Sequence, residues 1–525
     1  MRKPSLLVVF LTVFIDLVGF GIVLPLLPRY SERFGAEGWK IGAIIASFSV
    51  MQLFLAPWWG RLSDRIGRRP VLLISNGGSA VAYGMFAVAA APVWSAGVAL
   101  TWLLASRVFA GACGANIAVA AAYIADITPP EKRSKGMGLI GVAFGLGFIL
   151  GPALGAFSAH AFGLAGPGWV AAGLCAANFV LAWAILVESR RPGGTVAEAR
   201  PRMRQISHTL RLPRVGLLVS LYFLSTFCFA VFETTLPLLL GSPGFHPDDF
   251  VDPRGLARKL ASSTGSDDAG EAAAGRVVAR LTPDFRERLE AAPTIRTTAL
   301  RGEFFREFNR LLDVPDLFPG EGGQANAGEA VGETKLGGSP VQGAQERGGD
   351  TLRRWNRVRL EEAFPGEIKR RGFHFDERSL GYVFAYCGLI SAFIQGGVIG
   401  RLVKRFGEPR LIVGSLVIFG GGMALLPYAA GLGALLIVLA VVSVGSALNR
   451  APTLGLVSIF SPSDEQGASL GVTQSAGTLA RIVGPVLATT LYAATPHSPY
   501  FLAAGAALVA AGMAWRGLPR GGVSQ

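Results

Sequence analysis

Hydrophobic positions in this chain fall into long unbroken runs rather than alternating or helical stripes. Ile41–Trp59 and Val71–Ala91 hold no charged residue, and each approaches the roughly 20 apolar residues a helix needs to cross a bilayer. Between them stands GRLSDRIGRRP, Gly60–Pro70, a short basic connector with turn-forming glycine and proline. The same pattern recurs along the chain and predicts twelve spanning helices, over roughly 5–27, 41–60, 70–91, 95–118, 136–158, 166–187, 214–240, 379–400, 410–428, 431–455, 467–493 and 498–516.

The pattern repeats internally. GRLSDRIG at Gly60 returns as GRLVKRFG at Gly400, and Asn116, Gly151 and Pro152 return as Asn449, Gly484 and Pro485. Leu24–Leu27 (LPLL) is echoed by Leu236–Leu239. The predicted fold class is therefore an all-α polytopic membrane protein of two pseudo-symmetric six-helix halves. Its segments are 1–187, a basic linker 188–213, a second half of 214–240 with 379–525, and an insertion 241–378 between the seventh and eighth spans. Duplicated halves of this kind place a binding site near the bilayer midplane between them.

The insertion breaks the pattern. Leu300, Phe304, Phe305, Phe308, Leu311 and Leu312 follow helical spacing, Leu352–Phe364 reads as a second amphipathic helix, and Pro319–Asp350 reads as flexible. A largely helical, partly flexible accessory insertion is expected.

Composition sharpens the membrane reading. The chain of 525 residues is 51% hydrophobic with mean hydropathy +0.45, and its formal charge is +14. The insertion carries a net charge of −2, so the rest carries +16, concentrated in short connectors such as 61–70, 131–135, 188–214 and 401–410. Such placement argues for positive-inside topology rather than nucleic-acid binding, with both termini cytoplasmic and the insertion outside. The first outer loop, with Arg29, Arg33 and Lys40, is a mild exception. The N-terminal run is interrupted by Asp16 and is read as a retained helix, not a signal peptide. Absence of any N-x-[S/T] sequon suits a bacterial inner membrane. Four cysteines in apolar stretches show neither disulfide nor metal spacing. The dipeptide Gly-Lys never occurs, which excludes a Walker-type ATP site, and no hydrolase or metalloprotease motif is present. No cofactor and no metal are expected.

Five charged residues lie inside the predicted spans: Asp16, Arg107, Glu233, Arg450 and Arg481. A mid-membrane charge costs about 2.5–3.5 kcal/mol on insertion scales, so such residues face partners or a water-filled cavity. Asp16 and Glu233 sit on the first and seventh spans, which are repeat partners, and both carboxylates are candidates for binding and releasing protons. A permanent ion pair or helix-packing hydrogen bond is the alternative. Arg107 is the natural cationic partner for one of them. Arg481 stands where its repeat counterpart is Phe148, and either pairs with Glu233 or binds an anionic group. Arg450, nearer a helix end, also has snorkelling open to it. The repeated Asn116 and Asn449 complete the candidate cavity set. The fifth span carries Gly138, Gly141, Gly145, Gly147, Gly151, Pro152 and Gly155, small residues at a spacing that lets helix backbones touch, with a Gly-Pro bend.

With these residues the chain resembles the major facilitator superfamily, and within it the twelve-helix drug:proton antiporters typified by tetracycline exporters. The likeness covers about 1–240 and 379–525. GRLSDRIGRRP is similar to the superfamily's signature loop, Arg107 with Gly111 to the helix-four motif, Gly151–Gly155 to the antiporter motif, and FIDLVGFGIVLPLLP around Asp16 to the first helix of tetracycline-type exporters. The resemblance implies that Gly60, Asp64, Arg65, Gly67 and Arg68 form a conformational-switch loop. Asp64 would dock at the N-terminus of helix eleven, where the helix dipole favours negative charge, and lock an outward-open state. Arg68 and Asp126 would extend that charge network, and Arg107 would support proton transfer. The chain departs from the tetracycline pattern in lacking Asp and Glu from Val71 to Ala125 and from Pro409 to Pro462, which argues against tetracycline itself.

The expected function is proton-coupled efflux of small amphipathic or hydrophobic compounds by alternating access, driven by the proton gradient. Its partners are a small-molecule substrate, protons and the lipid bilayer, with no nucleic acid, and the sequence is silent on oligomeric state. An importer or facilitator of a metabolite on the same fold is the alternative. A non-transporting receptor or scaffold acting through the insertion stands third.

Overall fold

In the computed structural model the described residues are 5–36, 38–91, 94–114, 116–128, 133–189, 202–241, 250–262, 269–290, 297–312, 377–429, 431–462 and 466–519, with short pieces between 314 and 375. They fold into two compact units.

The larger unit comprises Met1–Leu238, Phe375–Ala493 and His497–Gln525. Its described residues form twelve long helical rods, six from each half of the repeat, and a shorter helix, Arg202–Arg211, in the linker between the halves. The first half holds α1 (Leu6–Val23), α2 (Trp39–Ile66), α3 (Arg68–Ala89), α4 (Ala96–Cys113), α5 (Arg133–Phe162) and α6 (Gly166–Ile185). The second holds α7 (Pro213–Gly241), α8 (Glu377–Phe393), α9 (Glu408–Leu425), α10 (Leu432–Phe460), α11 (Gln466–Ala494) and α12 (Ser498–Gly517). Among the described residues nine helices are long and apolar enough to cross a membrane, and Gly97–Cys113 is a shorter apolar one. Their outward surface stays apolar, with Phe54, Trp183, Phe393, Tyr428 and Ile437 all exposed. Such a surface is stable against acyl chains rather than water.

Several rods are longer or more broken than the hydropathy runs predict. The first continues past Pro25 through Leu24–Leu26 and Leu27–Arg33, because proline at the first turn of each short segment needs no N–H partner. The fourth breaks at Gly114 and resumes as Asn116–Ile127, which carries Asp126 to the end of the rod. The eighth passes through a π-helical turn, Ile394–Val398, into Ile399–Phe406. Between α2 and α3 the chain turns at Gly67 (φ 104°), and at the equivalent point before α9 it turns at Gly407 (φ 77°). Both values are strained for any side chain, so glycine recurs where the repeated loop requires it.

Among the described residues, two close backbone approaches stand out between the halves. The first is α5 with α8, where a Cβ built at Gly381 would lie 2.9 Å from the Pro152 carbonyl oxygen. The second is α2 with α11, where a Cβ at Gly42 would lie 2.5 Å from the Pro485 carbonyl oxygen and 2.6 Å from Thr489 Oγ1. Beside them the Arg29 guanidinium donates to the Phe375 carbonyl at 3.2 Å. These contacts share the end of the bundle that bears residues 29–40. Gly60 and Gly400, towards the opposite end, have open space where a Cβ would stand.

The smaller unit comprises Leu239–His374 with Ala494–Pro496. Its described helices are Pro253–Ser262, Ala269–Arg280, Pro283–Glu290 and Thr297–Leu311. Phe250, Phe285, Phe304, Phe308, Leu360 and Phe364 are buried together, the rings of Phe285 and Phe304 meeting edge-on at 5.1 Å. The unit therefore has a hydrophobic core of its own. Glu307 accepts from Thr282 N–H and Oγ1 at the start of Pro283–Glu290, and Asn356 Nδ2 donates to the Leu312 and Val314 carbonyls. The side chains of Leu300 and Phe305 and the stretch predicted to be flexible, Pro319–Asp350, lie outside the described residues, as does the predicted helix Leu352–Phe364 apart from isolated positions.

Candidate functional site

The predicted switch loop forms one charge network at the end of the first half. Arg68, the first residue of α3, is 8% exposed yet charged, which requires partners. Its guanidinium reaches Asp64 Oδ1 at 2.7 Å, Asp126 Oδ2 at 3.1 Å and Ser63 Oγ at 2.6 Å. Ser189 Oγ donates to the same Asp126 oxygen at 3.1 Å. The Gly60 carbonyl accepts from Ser63 Oγ at 2.7 Å, whereas Arg65 is exposed and outside the network. Asp64 is thus engaged with Arg68, and residues 463–465, which precede α11, lie outside the described residues.

Glu188 completes this network and was not singled out by the sequence. Its carboxylate accepts from the backbone N–H groups of Arg68 and Arg69, at 2.9 and 3.0 Å. It therefore caps the N-terminus of α3, satisfying two donors that have no partner within the helix and meeting the positive end of its dipole. A Cβ at Gly67 would collide with the same carboxylate, which gives that glycine a second reason besides its φ. Arg69 adds a hydrogen bond to the Trp183 carbonyl at 2.7 Å. The cap arrives from about 120 residues downstream, so no local spacing announces it.

Deeper in the first half, Asp16 lies midway along α1 with its side chain half-buried. Arg107 on α4 is 1% exposed, and aromatic faces cover it: its guanidinium carbon lies 5.5 Å from the Tyr83 ring centre and 5.6 Å from that of Phe86. Cation–π contact stabilises a desolvated guanidinium by up to about 2 kcal/mol. Tyr83 is close enough to both Asp16 and Arg107 for their charges to act on its hydroxyl. The structure thus places an aromatic hydroxyl within reach of both charges, and Arg107 makes no ion pair with a carboxylate among the described residues. Tyr83 is the residue that sequence reasoning passed over here, hidden in an uncharged run.

The glycine helix positions this pocket. On α5, Gly147, Gly151 and Gly155 recur every four residues and meet α1: Cβ atoms built there would stand 2.9 Å from Leu17 Cβ, 2.5 Å from the Gly21 carbonyl carbon and 2.6 Å from the Ile22 carbonyl oxygen. Backbone touches backbone, as small residues allow in membranes. Pro152, one residue on, faces α8 of the other half. Gly141 and Gly145 lie within α5, but their surroundings are outside the described residues, as is the side chain of Asn116.

In the second half, Glu233 on α7 is half-buried, and Arg481 on α11 and Arg450 on α10 both act on it electrostatically. No ion pair is made by Glu233 among the described residues. Tyr222 on α7 donates to Gln474 Oε1 at 3.4 Å, and Arg450 and Arg481 are near enough for their charges to act on its hydroxyl. Asn449, next to Arg450, turns the other way, its Nδ2 donating to Ser415 Oγ at 3.1 Å and its backbone and side-chain oxygens accepting from Thr453. Asn449 therefore serves as a helix-packing residue joining α10 to α9. The structure brings together Glu233, Arg450, Arg481 and Tyr222, and gathers Asp16, Tyr83 and Arg107 separately.

Residues 9–257 and 363–524 match the sequence model of the Major Facilitator Superfamily. The tetracycline resistance protein class E of Escherichia coli is 33% identical over 244 residues, 45% of this chain and 57% of that protein. Bovine (Bos taurus) major facilitator superfamily domain-containing protein 10 is 36% identical over 214 residues, 35% of this chain and 44% of the relative. The chain thus spans about half the length of the curated relatives it matches. The crystal structure of the human organic anion transporter MFSD10 shares the fold, with a TM-score of 0.56 at 21% identity over 98% of this chain and 100% of the other.

Proposed function

The chain belongs to the Major Facilitator Superfamily, and from that premise we propose that it couples proton movement to export of a small amphipathic compound across a membrane. The observation that carries this reading is one half-buried carboxylate on each of the repeat-partner helices α1 and α7, Asp16 and Glu233, each with arginine and tyrosine nearby. Carboxylates so placed can exchange a proton as the site changes exposure. The tight glycine face of α5 favours export, because it resembles the antiporter motif and seats the pivot helix between α1 and α8. The relatives' names speak of tetracycline resistance and of organic anions, so they do not fix one substrate.

Positive-inside bias puts both termini in the cytoplasm and the 29–40 end outside, in a multi-pass protein of a bacterial inner membrane. On that reading the halves meet on the outside, and Asp64 is held by Arg68, in keeping with an inward-facing state. The energy source is the proton gradient, with neither nucleotide nor metal.

The test is transport in vesicles under an imposed pH gradient. Glu233→Gln and Asp16→Asn, singly and together, are expected to abolish gradient-driven flux in at least one case. Full transport by all three variants would overturn the assignment. The excess of arginine beside Glu233 favours a second reading, cotransport of an anion with protons. Flux with the imposed proton gradient, instead of against it, would select that reading.

A further inference from the structure

The linker between the halves ends in a helix, Arg202–Arg211, that turns sharply into α7. At the turn the two helices touch backbone to backbone: a Cβ at Gly216 would collide with the Leu210 carbonyl oxygen and stand 3.1 Å from its carbon. One face of the segment is seated. Ile206 and Leu212 pack into one apolar cluster with Phe460 of α10 and Leu518 just past α12, and Thr209 between them is fully buried. The linker helix is thereby held at the level where α7 begins and where α10 and α12 end.

Its other face is open. Ser207, His208, Arg211 and Arg214 are exposed, and among them Leu210 is 47% exposed. Trp515, also exposed, and Arg516 bring the same pairing from the end of α12, which meets α7 where a Cβ at Gly517 would collide with the Leu217 side chain. The Arg214 guanidinium carbon lies 5.1 Å from the Phe460 ring centre, so an aromatic face holds that side chain in place. Between Glu198 and Glu233 the chain has five arginines and no acidic residue. Neither Arg211 nor Arg214 makes an ion pair among the described residues.

A helix that is only solvated covers its outer face with polar side chains. One lying at a membrane surface alternates apolar side chains, which enter the acyl boundary, with cations that stay among the headgroups. Guanidinium forks bind phosphate oxygens in parallel hydrogen bonds, and basic pockets at helix ends on the cytoplasmic side suit anionic headgroups. Free phosphate would use the cations but would leave Leu210 and Trp515 in water. We propose that Leu210, Arg211 and Arg214, with Trp515 and Arg516 beside them, bind an anionic phospholipid. The guanidinium groups hold its phosphodiester, and its acyl chains run against Leu210 and Trp515. That the lipid comes from the cytoplasmic leaflet rests on the topology proposed above. The site itself does not depend on direction of transport or on proton coupling.

The test uses the full chain, purified in neutral detergent and delipidated. It is titrated with fluorescently labelled phosphatidylglycerol, an anion, or phosphatidylcholine, a zwitterion, and followed by fluorescence anisotropy. Phosphatidylglycerol should bind at least about tenfold more tightly than phosphatidylcholine. The Arg211→Gln/Arg214→Gln variant should weaken phosphatidylglycerol about tenfold or more and leave phosphatidylcholine within about twofold. Lys404→Gln/Arg405→Gln, which removes two exposed cations elsewhere on the second half, should change neither by more than about twofold. Leu210→Ser should weaken phosphatidylglycerol about threefold or more. If the first double variant does not remain monodisperse, Arg211→Gln alone should weaken phosphatidylglycerol about threefold or more. Equal binding of the two lipids, equal losses in the two double variants, or indifference to Leu210→Ser would each overturn the site. Displacement of phosphatidylglycerol by inorganic phosphate at constant ionic strength would overturn it too, as a site for a free anion. Labelling of Ser207→Cys by an impermeant maleimide in intact cells, with these binding differences in place, would overturn the topology alone.

Discussion

The loop from α2 into α3 and the loop into α9 trace the same backbone, each turning at a glycine with positive φ, Gly67 and Gly407. Their charges differ. In the first copy Asp64, Arg68 and Asp126 close a network, and Glu188 reaches in to cap the helix. In the second copy Lys404 replaces Asp64, and Glu408 replaces Arg68 as the first residue of its helix. Lys404 and Arg405 are exposed, the latter lying over its neighbour Phe406. The helix interiors diverge in the same manner: one aspartate and one ring-covered arginine in the first half, one glutamate and two arginines in the second. Duplication thus preserves geometry, while charge has been redistributed so that one half holds an ionic latch and the other gathers two arginines about one glutamate.

The sharpest way to break this comparison lies in packing. Gly151 and Gly484 are repeat partners, yet a Cβ at Gly151 would stand 2.5 Å from backbone on α1, whereas one at Gly484 would meet the Ala230 methyl at 3.0 Å. Backbone cannot yield as a side chain can. Gly151→Ala should therefore cost about 1–3 kcal/mol through overpacking, exceeding the roughly 1 kcal/mol gained in helix propensity. Gly484→Ala should be near neutral. Melting temperatures of the purified variants in detergent decide it, and equal shifts would mean that the halves are packed alike.

Next in size is the latch. Asp64→Asn should reduce transport by about tenfold or more, because it leaves a buried Arg68 with one carboxylate fewer. Lys404→Ala removes an exposed charge and should change flux by less than about twofold. Initial rates in the same vesicles compare them, and equal losses would count against an asymmetric latch.

Much of this was legible in the sequence, for identifiable reasons. Apolar runs the length of a bilayer mark helices without long-range information, and the GRLSDRIG and GRLVKRFG copies mark the halves. Charges inside those runs, being expensive, mark the candidate site. Partners were less legible. Tyr83 and Phe86 around Arg107, and Tyr222 beside Arg450, sit in uncharged runs where every aromatic residue looks alike as lipid-facing or core. Glu188 lay in a segment read as a basic linker. The insertion shows both sides: Phe304, Phe308 and Leu311 declare a helix by spacing, but the core they enter draws Phe250, Phe285 and Leu360 from elsewhere in the chain.

The smallest effect concerns the two helix starts. Glu188 supplies its carboxylate to the Arg68 and Arg69 N–H groups from another helix's end, and so ties α6 to α3 as well as capping. Glu408 is the first residue of α9 itself, an acid in the first turn acting on the dipole from its own chain. Removing a cap that satisfies backbone donors costs about 1 kcal/mol, whereas removing a first-turn charge on a partly exposed surface costs a few tenths. Glu188→Ala should accordingly lower the melting temperature clearly more than Glu408→Ala. Glu188→Gln, which keeps an acceptor but not the charge, should fall between wild type and Glu188→Ala. A Glu188→Gln variant as unstable as Glu188→Ala would assign the effect to charge alone, and Glu188 would then be a member of the ionic latch rather than a cap.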